Sequence, residues 1–559
     1  MPSTRPLLLI LLSLSLAACA SSPAVRDEIT ISIVGTNDVH GTFEPDARVG
    51  GLVTVSAYVD ALRQARAADG GAVLVVDAGD MWQGTLESNL VEGAAVVEAY
   101  NAMGVTAAAI GNHEFDFGPE GAHAIPVEND EDPRGNLKQR AREAQFPLLA
   151  ANLIDIATGE PVNWDNVKPS VMVEAAGVKV GIVGVMTSNA LTTTIAANTG
   201  GLRIAPLAET IGAEAQRLRN RGAALIIVAA HAGGKCTDFS DRQDLSSCNL
   251  SAEIMRVANE LKPGLVDHIV AGHNHNPIAH VVNGTAITSN YSNTFSFGRV
   301  DFRVDRGQQE VVSRQVFAPQ HTAPGTRDNY EGFPLVANPD VVQVATRASA
   351  HAEALKQEKL GVTLTGPFEL VPDIESALSN IMTEAMLDSF DADIAIHNVI
   401  GGTRAGLPAG DLTYGAVFEM FPFDNIVSIH EISGRDLRQV IGRQANTYRK
   451  AGFAGMRVFV SCNDTQMNVL MRLDDGREIM DEDNFRIVVN DFLALGGDDI
   501  LTPVIPEGGF EIRYDMPLTR DALVEWFRAG PPTLAPEDFR THDAPKWTVP
   551  DMIPDTCQF

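Results

Sequence analysis

Short apolar runs recur through the first half of the chain, and five of them stop at a turn that contains Asp, Asn or His. Apolar runs of this length that end abruptly at polar residues are typical of buried strands. They cover residues 29–34, 73–76, 105–110, 225–230 and 268–271. Helical stretches such as residues 52–67 and 208–221 alternate with them. This alternation predicts an α/β layered domain over residues 28–317.

The second half of the chain returns to the same kind of pattern after a linker. Residues 318–334 are rich in Pro, Gly and charge, and residues 341–360 are predicted as a helix. An amphipathic helix at residues 375–387 and a strand at residues 393–397 then open a second α/β unit. The predicted division is a targeting segment at 1–19, a first domain at 28–317, a linker and helix at 318–360, a second domain at 361–540 and a C-terminal tail at 541–559.

The net charge of the chain limits the classes of molecule that it is expected to bind. The 559 residues carry a formal net charge of −30, which argues against nucleic acid or an anionic membrane surface as a partner, because both bind basic faces. The acidic stretch within residues 126–142 predicts a solvated surface insertion. An acidic protein that binds an anionic substrate must supply positive charge locally, from metal ions or from a few arginines.

The N-terminus predicts export. Arg5 precedes an apolar run at residues 7–16, which is too short for a spanning helix and is typical of a signal peptide. Leu16-Ala17-Ala18-Cys19 resembles a bacterial lipobox, in which Cys19 becomes the lipidated first residue. An ordinary signal peptide cut nearby is the alternative. Ala20 in place of Asp favours the outer membrane of a Gram-negative bacterium, with the protein anchored on the periplasmic side.

Four cysteines remain after the lipobox, and an even number in an exported chain suggests disulfides. Cys236 and Cys248 close a short polar loop just after His231. The simplest of the three possible connectivities joins these two and leaves Cys462 with Cys557.

The residues at the ends of the apolar runs form a set of potential metal ligands. Any one of them alone fits a turn, but five of the thirteen histidines fall at these run ends. Imidazoles, carboxylates and an amide, without thiolates, suit two adjacent divalent ions such as zinc or manganese. Such a pair polarises a phosphoryl oxygen and activates water. One bridging carboxylate completes two four-ligand shells from the seven candidates, which are Asp38, His40, Asp80, Asn112, His231, His273 and His275.

These motifs carry a resemblance to a known family. Asp38-Val39-His40, Gly79-Asp80, Gly111-Asn112-His113-Glu114, His231 and Gly272-His273-Asn274-His275 stand in the order of the calcineurin-like metallophosphoesterases. The longer run from Gly111 to Gly118 resembles the bacterial 5'-nucleotidase/UDP-sugar hydrolase branch. The resemblance implies an N-terminal four-layer αββα metallophosphoesterase domain, a linker helix and a C-terminal α/β domain of the 5'-nucleotidase type.

The resemblance also implies roles for the ligands. Asp38, His40, Asp80 and His275 would hold one ion, and Asp80, Asn112, His231 and His273 the other, so that Asp80 bridges. His113 would face the phosphoryl group rather than bind metal, and Asp116 would orient its ring. His275 departs from family members that carry Gln at this position, although an imidazole is an equally sound ligand.

Three motifs in the second half resemble the substrate-binding residues of the 5'-nucleotidase C-terminal domain. They are residues 398–404, residues 422–425 and residues 490–498. The resemblance implies a base stacked between Phe423 and Phe492, a phosphate contact from Arg404, and nucleoside contacts from Asn425 and Asp498. The sequence departs from the family at residues 368–375, which are acidic and lack the further arginines that usually stand there.

The resulting prediction is a phosphoesterase with two divalent metal ions that hydrolyses nucleotide phosphate esters by metal-activated water. Its partner would be a small phosphorylated molecule, and its contact with membrane only the lipid anchor. A 2',3'-cyclic nucleotide phosphodiesterase and a thiosulfohydrolase of the same fold are alternative enzymes. A lipid-anchored nucleotide-binding protein without turnover is the non-enzyme alternative.

Overall fold

The computed structural model describes residues 27–559 apart from residues 122, 129, 372–374, 446–450, 464, 508, 540–544, 551–556 and 558, and describes the backbone alone for Val399 and Ile400. The predicted signal peptide and Cys19 lie outside the described residues. Within the described part, no helix is both long enough and apolar enough to cross a bilayer.

The first domain is built on two sheets. In the described residues, the strands of the first sheet lie in the order Glu310–Val316, Ser296–Asp305, Glu28–Thr36, Ala72–Asp77, Ala107–Ala109, Leu148–Leu149 and Val167–Lys168, with Gln320–His321 beside Ser296–Asp305. Those of the second sheet lie in the order Ile278–Val282, Thr285–Ser289, His268–Ala271, Leu225–His231, Val178–Met186 and Ser170–Ala175. A small separate pair joins Leu153–Asp155 to Leu202–Ile204.

The two sheets pack face to face and helices cover their outer faces. Ile31 and Ile33 of the first sheet share one buried cluster with Ile182 and Ile227 of the second. The outer face of the first sheet is covered by Gly51–Asp69, Ala94–Met103 and Gly135–Glu143, and that of the second by Leu207–Asn220 and Glu253–Glu260. A short helix, Leu86–Asn89, follows the second strand of the chain. The predicted αββα layering is therefore confirmed.

The segment between the domains is packed onto the first domain. Asn329–Tyr330 pairs with Phe333–Pro334 in a small hairpin. Tyr330 is 4% exposed, and its ring lies 5.1 Å from that of Tyr58. The helix Pro339–Lys356 begins with Asn338, whose side chain accepts hydrogen bonds from the first free amides. It ends before the predicted residue 360, because the strand Lys359–Leu364 already belongs to a sheet of the second domain.

The second domain contains three small sheets within its described residues. The central one has the order Val427–Ser433, Asn484–Asn490, Ile394–Asn398 and Ala451–Ala454. The others contain Gly410–Thr413, Lys359–Leu364 and Thr533–Leu534, and Gln466–Leu473, Met456–Asn463 and Trp547–Thr548. The helices are Ala377–Ser389, Val399–Gly402, Tyr414–Met420, Gly434–Ala445, Asp491–Ala494 and Thr519–Ala529.

The pairing in the central sheet brings three loops to one edge. Ile394–Asn398 runs parallel to Asn484–Asn490, so the loops that follow both strands leave from the same side. Val427–Ser433 is antiparallel to Asn484–Asn490 with Val427 opposite Asn490. The segment before Val427 therefore reaches that edge as well. These are the three segments that carry the predicted substrate residues.

The structure corrects one expectation and pairs the cysteines. The second half of the predicted surface insertion at 126–142 is the helix Gly135–Glu143, in which Leu137 is only 1% exposed and packs in the core. The prediction of a wholly solvated insertion is therefore wrong there, because charged residues mask a narrow apolar face. Cys236 is joined to Cys248 and Cys462 to Cys557, which is the pairing that the sequence favours.

Candidate metal centre and substrate cleft

The predicted ligands of the first domain converge because the strands that precede them are parallel within each sheet. Glu28–Thr36 and Ala72–Asp77 are parallel neighbours in the first sheet, and Leu225–His231 and His268–Ala271 in the second. Their carboxyl ends lie along one edge of the sandwich, where loops are free to carry reactive groups. The two sheets thus deliver their polar turns to a single place.

Five of the candidate ligands stand on left-handed backbone. This conformation is unfavourable for residues other than glycine and persists where the surrounding structure imposes it, often at functional sites. The φ angles are 50° at Asp38, 49° at His40, 57° at Asp80, 76° at His273 and 53° at His275. The strained backbone turns these side chains into the same small volume.

The ligand atoms form two groups within that volume. Asp38, His40 and His275 lie with one ligand atom each within 4.8 Å of one another, and so do those of Asp80, His231 and His273. In the first group, Nε2 of His40 is 3.1 Å from Nε2 of His275. In the second, Oδ1 of Asn112 lies 2.9 Å from Nε2 of His231 and 3.1 Å from Nδ1 of His273. All seven predicted ligands are therefore together.

Backbone carbonyls set which ring nitrogens face the centre. Nδ1 of His40 donates to the carbonyl oxygen of Gln83 at 2.7 Å, and Nδ1 of His231 donates to that of Ala78 at 2.8 Å. In each ring the Nε2 lone pair is thereby directed inward, as expected of histidines that bind metal. The arrangement fixes the tautomers before any ion is bound.

The electrostatics of the two groups call for positive charge. Asp38 and Asp80 are 0% and 1% exposed, and buried carboxylates are costly without compensation. Although burial favours a neutral ring, Asp80 and Asp38 raise the pKa of His231 to about 10. Burial, together with the neighbouring His275, lowers the pKa of His40 to about 3. The carboxylates thus draw a proton onto His231, and a pair of divalent cations would supply that positive charge instead. Nitrogen and oxygen donors of this kind suit zinc or manganese.

His113 lies beside these groups but is engaged elsewhere. Its Nδ1 donates to Oδ2 of Asp116 at 2.6 Å, and its Nε2 accepts from Nη2 of Arg404 at 3.2 Å. Burial lowers the pKa of His113, but Asp116 and Asp80 outweigh this effect and raise it above the ordinary value. His113 belongs to neither ligand group, and its action on the phosphoryl group stays a prediction.

A cleft of about 460 Å³ opens from the metal centre to the second domain. A volume of this size suits a small organic ligand. From the first domain it is lined by Asp80, Asn112, His113, Asp116, His273 and His275, and from the second by Arg404, Phe423, Asn425, Phe492 and Asp498. The structure thus brings all five predicted substrate residues to the same cleft as the predicted metal ligands.

The two phenylalanine rings of the cleft contact other side chains and backbone of the protein. The ring of Phe423 stacks on His113 with centroids 5.9 Å apart, and Cζ of Arg404 lies 5.0 Å from the centroid of Phe423. The ring of Phe492 lies against Gly497, where a Cβ atom would come within 2.4 Å of it. Glycine there leaves room for a flat ring at the wall of the cleft.

Asn425 and Asp498 are fixed by hydrogen bonds inside the second domain. Nδ2 of Asn425 donates to Asp491 at 2.9 Å, and Asp498 accepts from Nδ2 of Asn398 at 2.6 Å. Asp498 has a φ of 52°, so its backbone is also left-handed. Both side chains therefore line the cleft in orientations that these hydrogen bonds hold.

Arg404 is the one Lys or Arg side chain that lines the cleft among the described residues. Its side chain is exposed to the cleft solvent. Phe368, at the start of the arginine-free stretch, is instead a buried core residue, and residues 372–374 lie outside the described part. Positive charge from the protein is therefore sparse on the substrate side.

Comparison with known proteins agrees with this geometry. A family model for calcineurin-like phosphoesterase matches residues 31–277, and one for the 5'-nucleotidase C-terminal domain matches residues 361–504. The chain belongs to the calcineurin-like phosphoesterases with a 5'-nucleotidase C-terminal domain.

Individual relatives of this phosphoesterase differ in length and name. The 5'-nucleotidase of Vibrio cholerae is 27% identical over 87% of this chain and 89% of its own. Endonuclease YhcR of Bacillus subtilis is 26% identical over 84% of this chain, which spans only 37% of that protein.

Solved structures show the same fold. A 5'-nucleotidase precursor from Thermus thermophilus superposes with a TM-score of 0.69 at 21% identity, over 94% of this chain and all of that one. Sulfate thiohydrolase SoxB of the same organism superposes with a TM-score of 0.68 at 14% identity, over 94% and 97%. Because these scores are nearly equal, the fold alone does not choose the substrate.

Two threonines that the sequence reasoning missed support the phosphoesterase site. The carbonyl oxygen of Thr193 accepts from Nδ2 of Asn112 at 2.8 Å, which turns Oδ1 of that amide toward the metal groups. Oγ1 of Thr194 donates to Oδ1 of Asp116 at 2.6 Å. These residues follow a strand that ends without a ligand-type side chain, so only their position in the fold reveals them.

Glu114 of the phosphoesterase motif has a role that the motif alone did not reveal. Its carboxylate accepts from the amides of Asp80 at 2.9 Å, Met81 at 2.7 Å and Gly111 at 2.6 Å. At Gly111 a Cβ atom would stand 2.2 Å from Oδ1 of Asp80. Glu114 therefore ties two ligand-bearing turns together, and Gly111 makes their close approach possible.

Proposed function

We propose that this phosphoesterase hydrolyses phosphate esters of nucleotides, in the manner of a 5'-nucleotidase, with two divalent metal ions. The observation that carries the proposal is the shared cleft. Its floor holds the candidate metal ligands, and its far wall holds two phenylalanines and an arginine. A nucleotide has the matching parts, because its phosphate suits metals and Arg404 while its base suits aromatic faces.

The residues that would hold the ions are the seven predicted ligands, and Asp80 would contribute to both groups. When bound, the ions polarise the phosphoryl oxygens and lower the pKa of a water nucleophile. The oxygen of that water forms the new bond to phosphorus, and the bond from phosphorus to the ester oxygen breaks. The leaving alkoxide takes up a proton, and the attacking water gives one up.

His113 is placed to act on the leaving side of this reaction. Asp116 holds Nδ1, so Nε2 is directed into the cleft. Protonated at Nε2, the ring can give its proton to the leaving oxygen, and a hydrogen bond from it stabilises charge that develops on the phosphoryl group. Thr194 and Asp116 keep the ring in position.

Arg404 now contacts His113 and would turn to the phosphate when substrate binds. Its planar guanidinium matches two phosphate oxygens at once. Because it is the one Lys or Arg side chain lining the described cleft, a substrate with one negative charge at phosphorus needs less charge compensation from the protein than a dianionic ester. This favours a 2',3'-cyclic nucleotide phosphodiesterase as the second candidate function.

A substrate panel tests these proposals. It contains nucleoside 5'-monophosphates, 2',3'-cyclic nucleotides, a UDP-sugar, a thiosulfate conjugate and a generic aryl phosphate, each assayed with zinc and with manganese. Highest kcat/KM on 5'-monophosphates supports the first candidate and on cyclic nucleotides the second. Activity confined to the thiosulfate conjugate would overturn both, and activity on no compound would favour a binding protein.

Phe492→Ala should raise the KM for a nucleotide and leave hydrolysis of the aryl phosphate nearly unchanged. One stacking contact contributes roughly 1–3 kcal/mol, so the expected increase is on the order of five- to a hundredfold. Phe510→Ala is the matched control, since Phe510 stacks on His430 at 4.2 Å and does not line the cleft. Equal impairment of both substrates would make Phe492 a packing residue and remove the nucleoside clamp.

We also propose that the protein is exported and anchored through a lipid on Cys19, at the outer membrane. The lipobox-like Leu16-Ala17-Ala18-Cys19 and the two disulfides of the structure support this, because disulfides persist in oxidising compartments. Cys19→Ser should abolish incorporation of labelled fatty acid and leave uncleaved precursor or soluble protein. A wild-type protein recovered without lipid from the soluble periplasm would contradict the anchor.

A further inference from the structure

One peptide carbonyl of the second domain is held by two side chains of the first. Nε2 of Gln83 donates to the carbonyl oxygen of Pro422 at 3.0 Å, and Nδ2 of Asn89 donates to the same oxygen at 3.3 Å. Gln83 is only 2% exposed. Oδ1 of Asn89 accepts from the amide of Gly84 at 2.9 Å, so its amide group is oriented with the donor toward Pro422. The two donors saturate this acceptor from one side.

The residues just after Pro422 are held from within the second domain. Nη1 of Arg520 donates to the carbonyl oxygen of Phe423 at 3.1 Å, and Nη2 forms an ion pair with Asp424. The amide of Thr519 donates to the carbonyl oxygen of Asn425 at 2.7 Å. Arg520 is 6% exposed and lies on the helix Thr519–Ala529, beyond residues 361–504 that match the family. The loop 422–425 is thus held from within the second domain, while Gln83 and Asn89 of the first domain donate hydrogen bonds to it and His113 stacks on Phe423.

This tie bears directly on where Phe423 stands. Phe423 follows Pro422, and its ring stacks on His113 of the first domain. Gln83 also reaches the metal centre, because its own carbonyl oxygen accepts from Nδ1 of His40. Gln83 therefore links residues 422–425, here called the aromatic loop, to a candidate metal ligand. Its side chain binds the loop at Pro422, and its backbone carbonyl binds His40.

We propose that Gln83, assisted by Asn89, is a positioning residue that sets the distance between the aromatic loop and the metal centre. It thereby selects substrates whose leaving group is large enough to reach Phe423 while the phosphate lies at the metals. The proposal rests on the proposed nucleotide hydrolysis. Arg520 holds Phe423 and Asp424 within the second domain, so the hydrogen bonds at Pro422 can position the loop as a whole.

The test is Gln83→Met, which keeps the length of the side chain and removes its amide. The backbone carbonyl that orients His40 remains in place. Loss of one buried hydrogen bond should raise the KM for a nucleotide by roughly two- to tenfold. The nucleotide KM should rise by a larger factor than either the kcat or the KM for an aryl phosphate changes, since that substrate is too short to reach the loop. Asn89→Ala should act in the same direction, and serves as the second variant if Gln83→Met folds poorly.

Gln64→Met is the matched control, because Gln64 is exposed on the helix Gly51–Asp69 and bonds only within that helix among the contacts described. This variant should have the kcat and KM of the wild type for both the nucleotide and the aryl phosphate. An unchanged nucleotide KM in Gln83→Met, or an equal loss on both substrates, overturns the positioning role.

Hydrogen exchange measured on the same variants separates this proposal from the proposed function. Peptides that cover residues 421–427 should exchange faster in Gln83→Met, while those over the central strand Asn484–Asn490 should not. A wild-type protein that hydrolyses aryl phosphates but no nucleotide overturns the proposed function. Hydrogen exchange then tests by itself whether Gln83 holds the aromatic loop. An exchange rate in residues 421–427 of Gln83→Met equal to that of the wild type overturns this role.

Discussion

Asp80→Ala should bind fewer than about one divalent ion per chain and lose measurable phosphatase activity, because one carboxylate is expected to serve both ions. Oδ2 of Asp80 lies 3.1 Å from Nε2 of His231, and Oδ1 accepts from the amide of His113 at 2.9 Å. The side chain is 1% exposed, and Ala supplies neither its negative charge nor its two oxygen ligands. Without it, two cations would face each other across a neutral gap, and their repulsion would expel at least one.

Elemental analysis of the purified variant measures the effect. Asp77→Asn is the matched control. Asp77 is also buried, three residues earlier, but its carboxylate accepts from Thr36 at 2.7 Å and Tyr100 at 2.8 Å and belongs to neither ligand group. That variant should retain the metal content of the wild type. About two ions per chain in Asp80→Ala would rule out the bridging role.

His113→Ala should retain its metal content and lose roughly 10²–10⁴-fold in turnover, the usual size of an acid–base contribution. The reason is that both ring nitrogens are committed outside the ligand groups, one to Asp116 at 2.6 Å and one toward Arg404 at 3.2 Å. Removing the ring leaves the seven ligands in place while taking away the proton donor at the leaving oxygen.

Steady-state kinetics and elemental analysis together judge this variant. His351→Ala, at an exposed position on the helix Pro339–Lys356, controls for the loss of an imidazole far from the cleft. Loss of metal from His113→Ala would make His113 a ligand. Turnover within about twofold of the wild type would remove it from the reaction, since general acids contribute far more.

The fold and the clustering of the candidate ligands could be predicted because their signals are local in sequence. A strand such as Leu225–His231 announces itself as an apolar run, and its polar end residue marks the edge where ligands gather. The family motifs then identified Arg404, Phe423 and Phe492 as candidate substrate residues. By residue type alone, the arginine would be assigned to the surface and the two phenylalanines to the core. The structure places all three at one cleft.

What escaped prediction depends on contacts distant in sequence. Thr194 reaches Asp116 across 78 positions, and Gln83 reaches Pro422 across 339. Neither residue stands in a pattern that distinguishes it from an ordinary polar residue of a loop. The helix Gly135–Glu143 was missed for a different reason, because its mean composition is strongly polar and only Leu137 and Ala141 supply apolar core contacts.

The candidate ligands are divided between the two sheets of the first domain, and this division links metal binding to folding. Asp38, His40, Asp80 and Asn112 follow strands of the first sheet, whereas His231 ends one strand of the second sheet and His273 and His275 follow another. Ions that bind both sets act as cross-links between two halves of the sandwich. A partly folded chain with only one sheet formed holds an incomplete site and binds metal weakly. Bound ions would therefore draw the equilibrium toward the fully assembled domain, and a chelator is expected to weaken the contact between the sheets before it affects either sheet alone.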